Sequence, residues 1–264
     1  MVSIIIPLYN AERYIKETLV SCLRQTLKEL EIVVVDDCSK DMSVNVVEDL
    51  MKTDQRLYLI KNRENQGCIK TINIGIRESR GEYILVLGQD DRLEPDHIER
   101  MYKIMQSGDY SLLYCTSRLM DQDGKWIGES NTIDIAENPN IISRKNIINS
   151  CGAMIHAGKL KQAGLYPEEL GFRNYGEWYL WIQLMALGKV KFVSEIKSNY
   201  RIHSGNLSRT LYNKENMLNT KRYNLLCMNL ACMLLNLEGA EKIKWYVYRV
   251  IYVLKSDIRR ILKR

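Results

Sequence analysis

The sequence lacks the features of a membrane-spanning, disulfide-stabilised or zinc-binding protein. Nowhere in its 264 residues is there an apolar run of the roughly eighteen residues that a membrane-spanning helix needs. Its seven cysteines are an odd number without CxxC spacing, which argues against a disulfide framework and a zinc knuckle. The N-terminal MVSIIIPLYN has no basic start and too short an apolar run for a signal peptide. We therefore expect a folded protein of the reducing cytoplasm.

Several nucleotide-binding and hydrolytic motifs are also missing. Without GxGxxG there is no cradle for a dinucleotide cofactor, and without GxxxxGK[ST] there is no P-loop. The sequence also lacks the GxSxG elbow of serine hydrolases. Nucleotidyl transfer would need a basic loop after the first strand, which PLYNAE does not provide. Because there are no repeats and no low-complexity linker, we expect one domain over 1–210 and a helical extension over 211–264.

The entire net charge of +6 comes from the last 24 residues, because basic and acidic residues are equal in number in the rest of the chain. Residues 241–264 contain eight basic and two acidic residues, with apolar residues at three- and four-residue spacing and several aromatics. This pattern predicts a basic amphipathic helix. Two interpretations stay open: a terminal helix packed on the domain, or attachment to an anionic membrane surface. Nucleic acid is disfavoured, because no aromatic–basic module that could bind bases accompanies the tail.

What the sequence does have is an alternation of strands and helices. Short β-branched or aliphatic runs at 2–6, 31–36, 56–60 and 83–87 alternate with helical-length segments at 11–27, 42–53 and 67–79. This order predicts an α/β fold with a Rossmann-like, mostly parallel sheet flanked by helices. Beyond residue 110 we expect strands at 110–117, 151–156 and 190–194, helices at 157–164, 176–188, 213–236 and 241–263, and a polar loop at 197–210.

Polar loops follow each of the first four predicted strands. They are PLYN (7–10), DDCSKD (36–41), NRENQG (62–67) and GQDDR (88–92), and ligands of open α/β sheets bind beyond these carboxyl ends. Four aspartates converge there, namely Asp36, Asp37, Asp90 and Asp91. A divalent Mg²⁺ or Mn²⁺ would relieve their mutual repulsion, with phosphates completing its shell. A nucleotide diphosphate is the ligand that this edge favours.

Five ordered motifs resemble one enzyme family from residue 2 to about residue 210. The stretch from VSIIIPLYN to VVVDDCSKD, then NQG, GEYILVLGQDDRLEPD, GEWYLWIQL and YRIHSGNLS, resembles glycosyltransferase family 2 on the GT-A fold. The resemblance implies a metal-dependent inverting transferase that moves a sugar from a nucleotide diphosphate donor to a hydroxyl of a saccharide or lipid-linked acceptor. In bacterial surface polysaccharide synthesis, residues 241–264 would lie near the cytoplasmic face of the inner membrane.

The resemblance also implies which residues bind the nucleotide. Pro7, Tyr9 and Asn10 fall on the loop that lines the base and ribose, and Asp37 matches the position that accepts the N3–H of uracil. UDP is therefore favoured, with dTDP and GDP as alternatives. Alternatively, Pro7 only ends a strand and Asn10 only caps the next helix. Lys70 would meet a phosphate, although a lysine on a helix face is usually only solvated.

The stretch GQDDRLEPD matches the family's acidic metal motif with one acid missing. Asp90 takes the metal-ligand position, and Asp91, at the position after it, would support Asp90 in binding the metal. Gly88 replaces an acid that normally helps to hold ribose or metal, and Gln89 would offer its amide to a ribose hydroxyl. The alternative for Asp90 is a solvated acid in a turn.

The two later motifs imply the reacting groups. Glu177 of GEWYLW matches the general base, Trp178 is the candidate for stacking on an acceptor sugar, and the alternative for Glu177 is an acid that stabilises a helix N-terminus. In YRIHSGNLS, His203 would bind the metal or donate to a phosphate, and Arg201 would offset the charge of the leaving group. A second hypothesis remains, since Gly88 also fits a nucleotide-sugar-binding scaffold that has lost turnover.

Overall fold

The computed structural model describes residues 1–168, 176–206 and 217–234. Within them, nine strands form one sheet in the order β3-β2-β1-β4-β8-β6-β9-β5, with β7 paired to β6. The strands are β1 (Val2–Leu8), β2 (Leu30–Asp36), β3 (Leu57–Lys61), β4 (Tyr83–Val86), β5 (Arg92–Leu93), β6 (Tyr110–Met120), β7 (Trp126–Glu129), β8 (Met154–His156) and β9 (Lys189–Arg201). The α-helices are α1 (Ile15–Leu23), α2 (Ser43–Met51), α3 (Cys68–Glu78), α4 (His97–Gln106), α5 (Ala157–Gln162), α6 (Glu177–Leu187) and α7 (Met217–Leu234), and Pro139–Ser143 is a 3₁₀ helix.

The sheet is mixed: β1 to β4, β6 and β9 run in one direction, whereas β5, β7 and β8 are antiparallel to the strands that they pair with. Alternate residues of the central strands belong to two separate apolar cores, as the period of two in a strand requires. Ile4 and Ile6 face one core and Ile5 the other. Helices α1, α2 and α4 cover the first core, and α3, α5, α6 and α7 cover the second. The predicted α/β class is confirmed.

One predicted loop is in part a strand. The polar residues 197–201 continue β9, which pairs with β6 from Thr116↔Lys197 to Met120↔Arg201. Their polarity concealed the strand because its buried positions hold Ser198 and Arg201 rather than apolar residues. The short β5 and the helix α4 were also not expected from the sequence.

Helix α7 lies within the predicted helix 213–236 and packs on α6. The Tyr223 hydroxyl accepts a hydrogen bond from Tyr179 N at 3.1 Å, and Cys227 and Met228 are buried in the second core. The described part of the expected extension therefore shares the core of the main domain, and the boundary at 210 stays a prediction. The helix expected at 241–263, with its membrane contact, lies outside the described residues. In the described chain, no helix is both long and apolar enough to cross a membrane.

Candidate active site

The candidate site lies at the carboxyl ends of β1, β2, β4 and β9. Leu8 pairs with Asp36 at the end of β1 and β2, and Asp37 N donates to Leu8 O at 2.7 Å. Strand β4 leads into Gly88 through Leu87, whose N–H donates to Ile5 O. Parallel pairing thus brings both aspartate pairs to one edge, as expected from the order of strands.

The Asp37 carboxylate organises the loop between β3 and α3. Its Oδ1 accepts from Asn62 Nδ2 at 3.0 Å and Gln66 N at 2.7 Å, and its Oδ2 accepts from Gly67 N at 2.9 Å. Gly67 has a φ of 89°, a conformation that favours glycine. A carboxylate offers about four acceptor positions, of which these donors use three, and Asp37 itself is buried.

The Asn10 backbone and side chain join the β1 and β2 loops. Asn10 has a φ of 49°, which asparagine tolerates better than most residues. Its N–H donates to Ser39 Oγ at 3.0 Å and its Oδ1 accepts from Lys40 N at 2.8 Å. Because α1 begins only at Ile15, Asn10 is not the helix cap that the alternative interpretation proposed.

Gln89 is bound to the same loop through both ends of its amide. Its Oε1 accepts from Tyr9 N at 2.7 Å and its Nε2 donates to Tyr9 O at 3.2 Å.

The Tyr9 side chain remains 45% exposed, and Lys70 is exposed in the first turn of α3. Pro7 lies inside β1, which continues to Leu8, so it does not end the strand. Tyr9 and Lys70 are thus placed where a ligand can reach them.

Asp90 and His203 form a close hydrogen-bonded pair at the site. His203 Nε2 lies 2.7 Å from Asp90 Oδ2, and Asn206 Nδ2 donates to the same oxygen at 3.1 Å. Gly205 N donates to His203 Nδ1 at 3.1 Å, which leaves the proton of a neutral ring on Nε2. His203 therefore acts as a hydrogen-bond donor in this arrangement. Its ring lies against Tyr14 with centroids 4.9 Å apart.

Asp91 is buried beneath this pair. Its Oδ1 accepts from Arg201 N at 2.9 Å, and the Cys151 thiol also contacts its carboxyl group. Burial first, and then the nearby charge of Asp90, raise the pKa of Asp91 to about 8. The Asp91 carboxyl therefore holds a proton at neutral pH and joins β4 to β9.

Gly88 makes room for the Asp91 side chain. A Cβ placed on Gly88 would lie 2.6 Å from Asp91 Oδ2 and 3.0 Å from Asp90 Oδ1, both closer than an ordinary van der Waals contact. The acid that the family motif places at this position would therefore require both carboxylates to move. Part of the Asp91 carboxyl group occupies the space that an acidic side chain at position 88 would take.

The side chains at this edge fit a divalent cation in part. No described residue donates to Asp90 Oδ1, so that oxygen is available as a ligand, and carboxylate oxygen suits Mn²⁺ and Mg²⁺. No group of three acidic, histidine or cysteine side chains among the described residues has the arrangement of a metal site. A cation bound by Asp90 would thus need oxygens of a phosphate group or water to complete its shell.

The placement of Arg201 differs from the predicted one. Its side chain is 2% exposed. Nε donates to Asp90 O at 2.8 Å, Nη2 pairs with Glu17, and the guanidinium lies over the Tyr14 ring at 4.9 Å. A guanidinium enclosed in this way is not presented to a ligand, because its hydrogen bonds are taken by the protein. Arg201 instead holds the backbone of Asp90.

Glu177 begins α6 with a side chain that solvent reaches. Displacement of water by the surrounding protein nevertheless raises the pKa of its carboxyl group, and a hydrogen bond from Ser150 opposes that shift. Cys151, which follows Ser150, contacts Asp91. Burial, with smaller effects of the charges of Glu177 and then Asp37, raises the pKa of Cys68 to about 12. Cys68 therefore lies within electrostatic reach of both carboxylates.

Trp178 contradicts its predicted role as an acceptor platform. It is 5% exposed, belongs to the second core and donates its Nε1–H to Ile142 O at 2.8 Å. No face of this indole is available to a sugar. The apolar spacing in α6 indicates a core position, and the sequence does not show whether such an indole also reaches a cleft.

Three residues of the site were missed from the sequence. Asn206 donates to Asp90 and to Arg201 O, and its Oδ1 accepts from His203 N. It lies three residues after His203, a spacing from which its role could have been anticipated. Tyr14 and Glu17 had no such signal, because their partner Arg201 is more than 180 residues away.

The chain is similar in sequence to known glycosyltransferases. A family model described as Glycosyl transferase family 2 matches residues 3–160. An uncharacterized glycosyltransferase of Rickettsia typhi is 32% identical over 226 residues, which cover 81% of this chain and 68% of the relative. The putative teichuronic acid biosynthesis glycosyltransferase TuaG of Bacillus subtilis is 27% identical and matches 79% of this chain and 81% of its own length.

Two solved structures have the same fold at low sequence identity. TarS of S. aureus in complex with UDP-GlcNAc superposes with a TM-score of 0.69 and 19% identity, covering 96% of this chain and 71% of that one. The mannosyltransferase PcManGT from Pyrobaculum calidifontis, in complex with GDP-Man and Mn²⁺, has a TM-score of 0.62 and 13% identity, covering 100% and 87%. At these identities the likeness concerns the fold alone.

Proposed function

The chain belongs to glycosyltransferase family 2, and from that premise we propose that it transfers a sugar, with inversion, from a UDP-sugar to a hydroxyl of a saccharide or lipid-linked acceptor. The donor sugar is a hexose or an N-acetylhexosamine. The setting is the synthesis of a bacterial surface polysaccharide. Both TuaG, by its name, and the UDP-GlcNAc complex of TarS agree with this proposal.

One observation carries the proposal. Asp37, Glu177 and the Asp90–His203 pair come from segments far apart in the sequence, and the neighbours that they share support a common site. Cys68 is within reach of the charges of both Asp37 and Glu177, and Ser150–Cys151 contacts Glu177 on one side and Asp91 on the other. A donor base at Asp37 and an acceptor hydroxyl at Glu177 would thus share one cleft.

Glu177 supplies the base of the proposed reaction. It takes the proton of the acceptor hydroxyl while the oxygen attacks the anomeric carbon, from the side opposite the diphosphate. A raised pKa improves the carboxylate as a base, because the ideal catalytic pKa lies near the working pH.

Asp90 would hold a divalent cation together with the donor diphosphate, and that cation would neutralise charge on the leaving group. His203 Nε2–H is the protein donor nearest to Asp90, so it can turn to a phosphate oxygen when the cation takes its place. Asp91 and Arg201 position Asp90 rather than contact the nucleotide. The Mn²⁺ bound to PcManGT agrees with a cation at this fold.

We also propose that residues 241–264 attach the enzyme to the cytoplasmic face of the inner membrane. Deletion of 241–264 should abolish binding to anionic vesicles and leave nucleotide binding unchanged. Vesicle binding that survives the deletion would exclude this attachment.

The alternative function is a nucleotide-sugar-binding scaffold without turnover, which the glycine at position 88 favours. Thermal shift with UDP-, dTDP- and GDP-sugars, with and without Mn²⁺, identifies the donor, since a ligand that binds only the folded state raises its stability. Sugar release from the stabilising donor is then measured for the wild type and Glu177→Gln.

We expect Glu177→Gln to reduce turnover about 100- to 10,000-fold, the usual contribution of a general base, with donor affinity unchanged. Glu195→Gln, an exposed acid on β9, is the matched control and should keep full activity. UDP binding without any sugar release by the wild type, and no effect of Glu177→Gln, would instead support the scaffold.

A further inference from the structure

A shallow groove of about 470 Å³ lies beside the candidate site, over strands β5, β9, β6 and β7. Neither the predicted nucleotide residues nor Glu177 line it. Its position follows from strand direction, since β6 and β9 both end at the site edge, where Met120 pairs with Arg201. The groove is therefore a second surface at the same edge of the sheet.

Four polar residues form a row across the groove. Arg92 of β5 pairs with Asn199 of β9, Asn199 pairs with Arg118 of β6, and Arg118 pairs with Glu129 of β7. Residues directly opposite one another on paired strands point to the same face. The row thus presents two guanidinium groups, an amide and a carboxylate side by side, with both hydrogen-bond donors and acceptors.

An exposed indole stands at one end of the row. Trp126 pairs with Met120, lines the groove and is 63% exposed. The other tryptophans of the described chain, Trp178 and Trp181, are buried. Burial is the usual state of so large an apolar side chain, so an exposed indole beside polar groups indicates a binding surface.

The charges around the groove cancel one another. Arg92 pairs with Glu17, Arg118 with Glu94, and Lys197 with Glu129, so each cation has one carboxylate partner. A polyanion would find no net positive charge here. Hydroxyl groups, by contrast, can bind both members of such pairs, since each pair offers donors and acceptors close together.

Glu17 connects the groove to Asp90 through Arg201. One of its carboxylate oxygens accepts from Arg92 and the other from Arg201, whose Nε donates to Asp90 O. The groove is therefore joined to the candidate site through one carboxylate and one guanidinium group.

We propose that this groove binds an uncharged saccharide, the acceptor chain of the proposed transferase. Trp126 stacks on a sugar ring, and the Arg92–Asn199–Arg118–Glu129 row hydrogen-bonds its hydroxyls. The inference rests on the proposed function for the identity of the saccharide as acceptor, whereas the binding itself does not need turnover.

Binding of oligosaccharides to the full chain tests the proposal. The probes are neutral tri- to hexasaccharides of glucose, mannose, galactose and N-acetylglucosamine, with oligogalacturonate as the anionic counterpart, measured by calorimetry and by quenching of tryptophan fluorescence. At least one neutral probe should bind, and Trp126→Ala should weaken it roughly ten-fold, as loss of aromatic stacking predicts. Trp126→Phe should restore most of the affinity.

Ile127→Ala is the matched control, because Ile127 is the next residue on β7 and is 53% exposed but does not line the groove. It should leave binding unchanged. Absence of binding by every neutral probe, stronger binding of oligogalacturonate, or equal effects of Trp126→Ala and Ile127→Ala would overturn the proposal. Nucleotide binding is measured on the same samples, so that failure of the proposed donor site is seen separately from failure of the groove.

Discussion

Two pairs of adjacent aspartates follow strands on either side of β1, and they are held in opposite ways. Asp37, after β2, accepts three N–H groups from a loop that begins only 25 residues later. Asp91, after β4, is buried beside Asp90 and is held by Arg201, 110 residues away. The negative charge of the first pair is thus compensated by the protein, whereas that of the second is compensated by a proton.

This difference separates the pair whose charge the protein compensates from the pair at which we propose a cation. A carboxylate that accepts several N–H groups is stable as an anion, whereas a buried carboxyl group beside a second negative charge is not. A divalent ion would relieve the repulsion within the second pair, whereas the first pair is stable without one. The same Asp–Asp dipeptide thus lies in two environments: a neighbouring loop donates hydrogen bonds to it after β2, whereas after β4 one of its carboxyl groups is buried beside the other.

The largest expected effect is on turnover, from Asp90→Asn. Loss of the oxygen ligand should lower the rate of sugar transfer about 1,000-fold, as expected when charge stabilisation at a leaving group is removed. The measurement is initial rate against Mn²⁺ concentration. Asp96→Asn, an exposed acid of the same segment paired only with Arg100, is the control and should keep its activity. Normal turnover by Asp90→Asn would remove the second pair from the chemistry.

The next effect is on stability, from Asp91→Asn in the presence of EDTA. Between the ordinary pKa of 3.8 and the folded value of about 8, the unfolded chain is ionised while folded Asp91 keeps its proton. Folding stability should therefore fall as pH rises from about 4 to 8. The asparagine variant avoids this loss, so its advantage should grow to a few kcal/mol at pH 8, at about 1.4 kcal/mol per unit of pKa shift.

Urea denaturation of both proteins at several pH values measures that advantage. A constant difference between wild type and Asp91→Asn across the range would show that Asp91 is ionised in the folded protein.

The smallest effect should come from Asp37→Asn, with the opposite sign. Asparagine keeps an oxygen for Asn62 and Gln66 but turns an N–H group towards Gly67 N, so one buried donor loses its acceptor. We expect a loss of about 2 kcal/mol in the free energy of unfolding. Asp49→Asn, exposed on α2, is the control and should unfold like the wild type. An unchanged stability of Asp37→Asn would mean that the β3–α3 loop does not depend on this carboxylate.

Local patterns were sufficient for most of the framework. The four runs of β-branched and aliphatic residues became β1 to β4, because strands buried on both faces are continuously apolar. The same patterns failed for residues 197–201, since the buried side chains of that part of β9 are polar and are satisfied only by distant partners.

The sequence by itself determined the α/β order, the family and the loops that meet at the carboxyl ends of the strands. Only the tertiary structure decided that Arg201 is enclosed, that Trp178 is in the core and that Asp91 fills the space beside Gly88. Strand order follows from hydrophobic periodicity, which is local. The environment of a charged or aromatic side chain depends instead on burial and on partners about a hundred residues away, and these exist only once the sheet has formed.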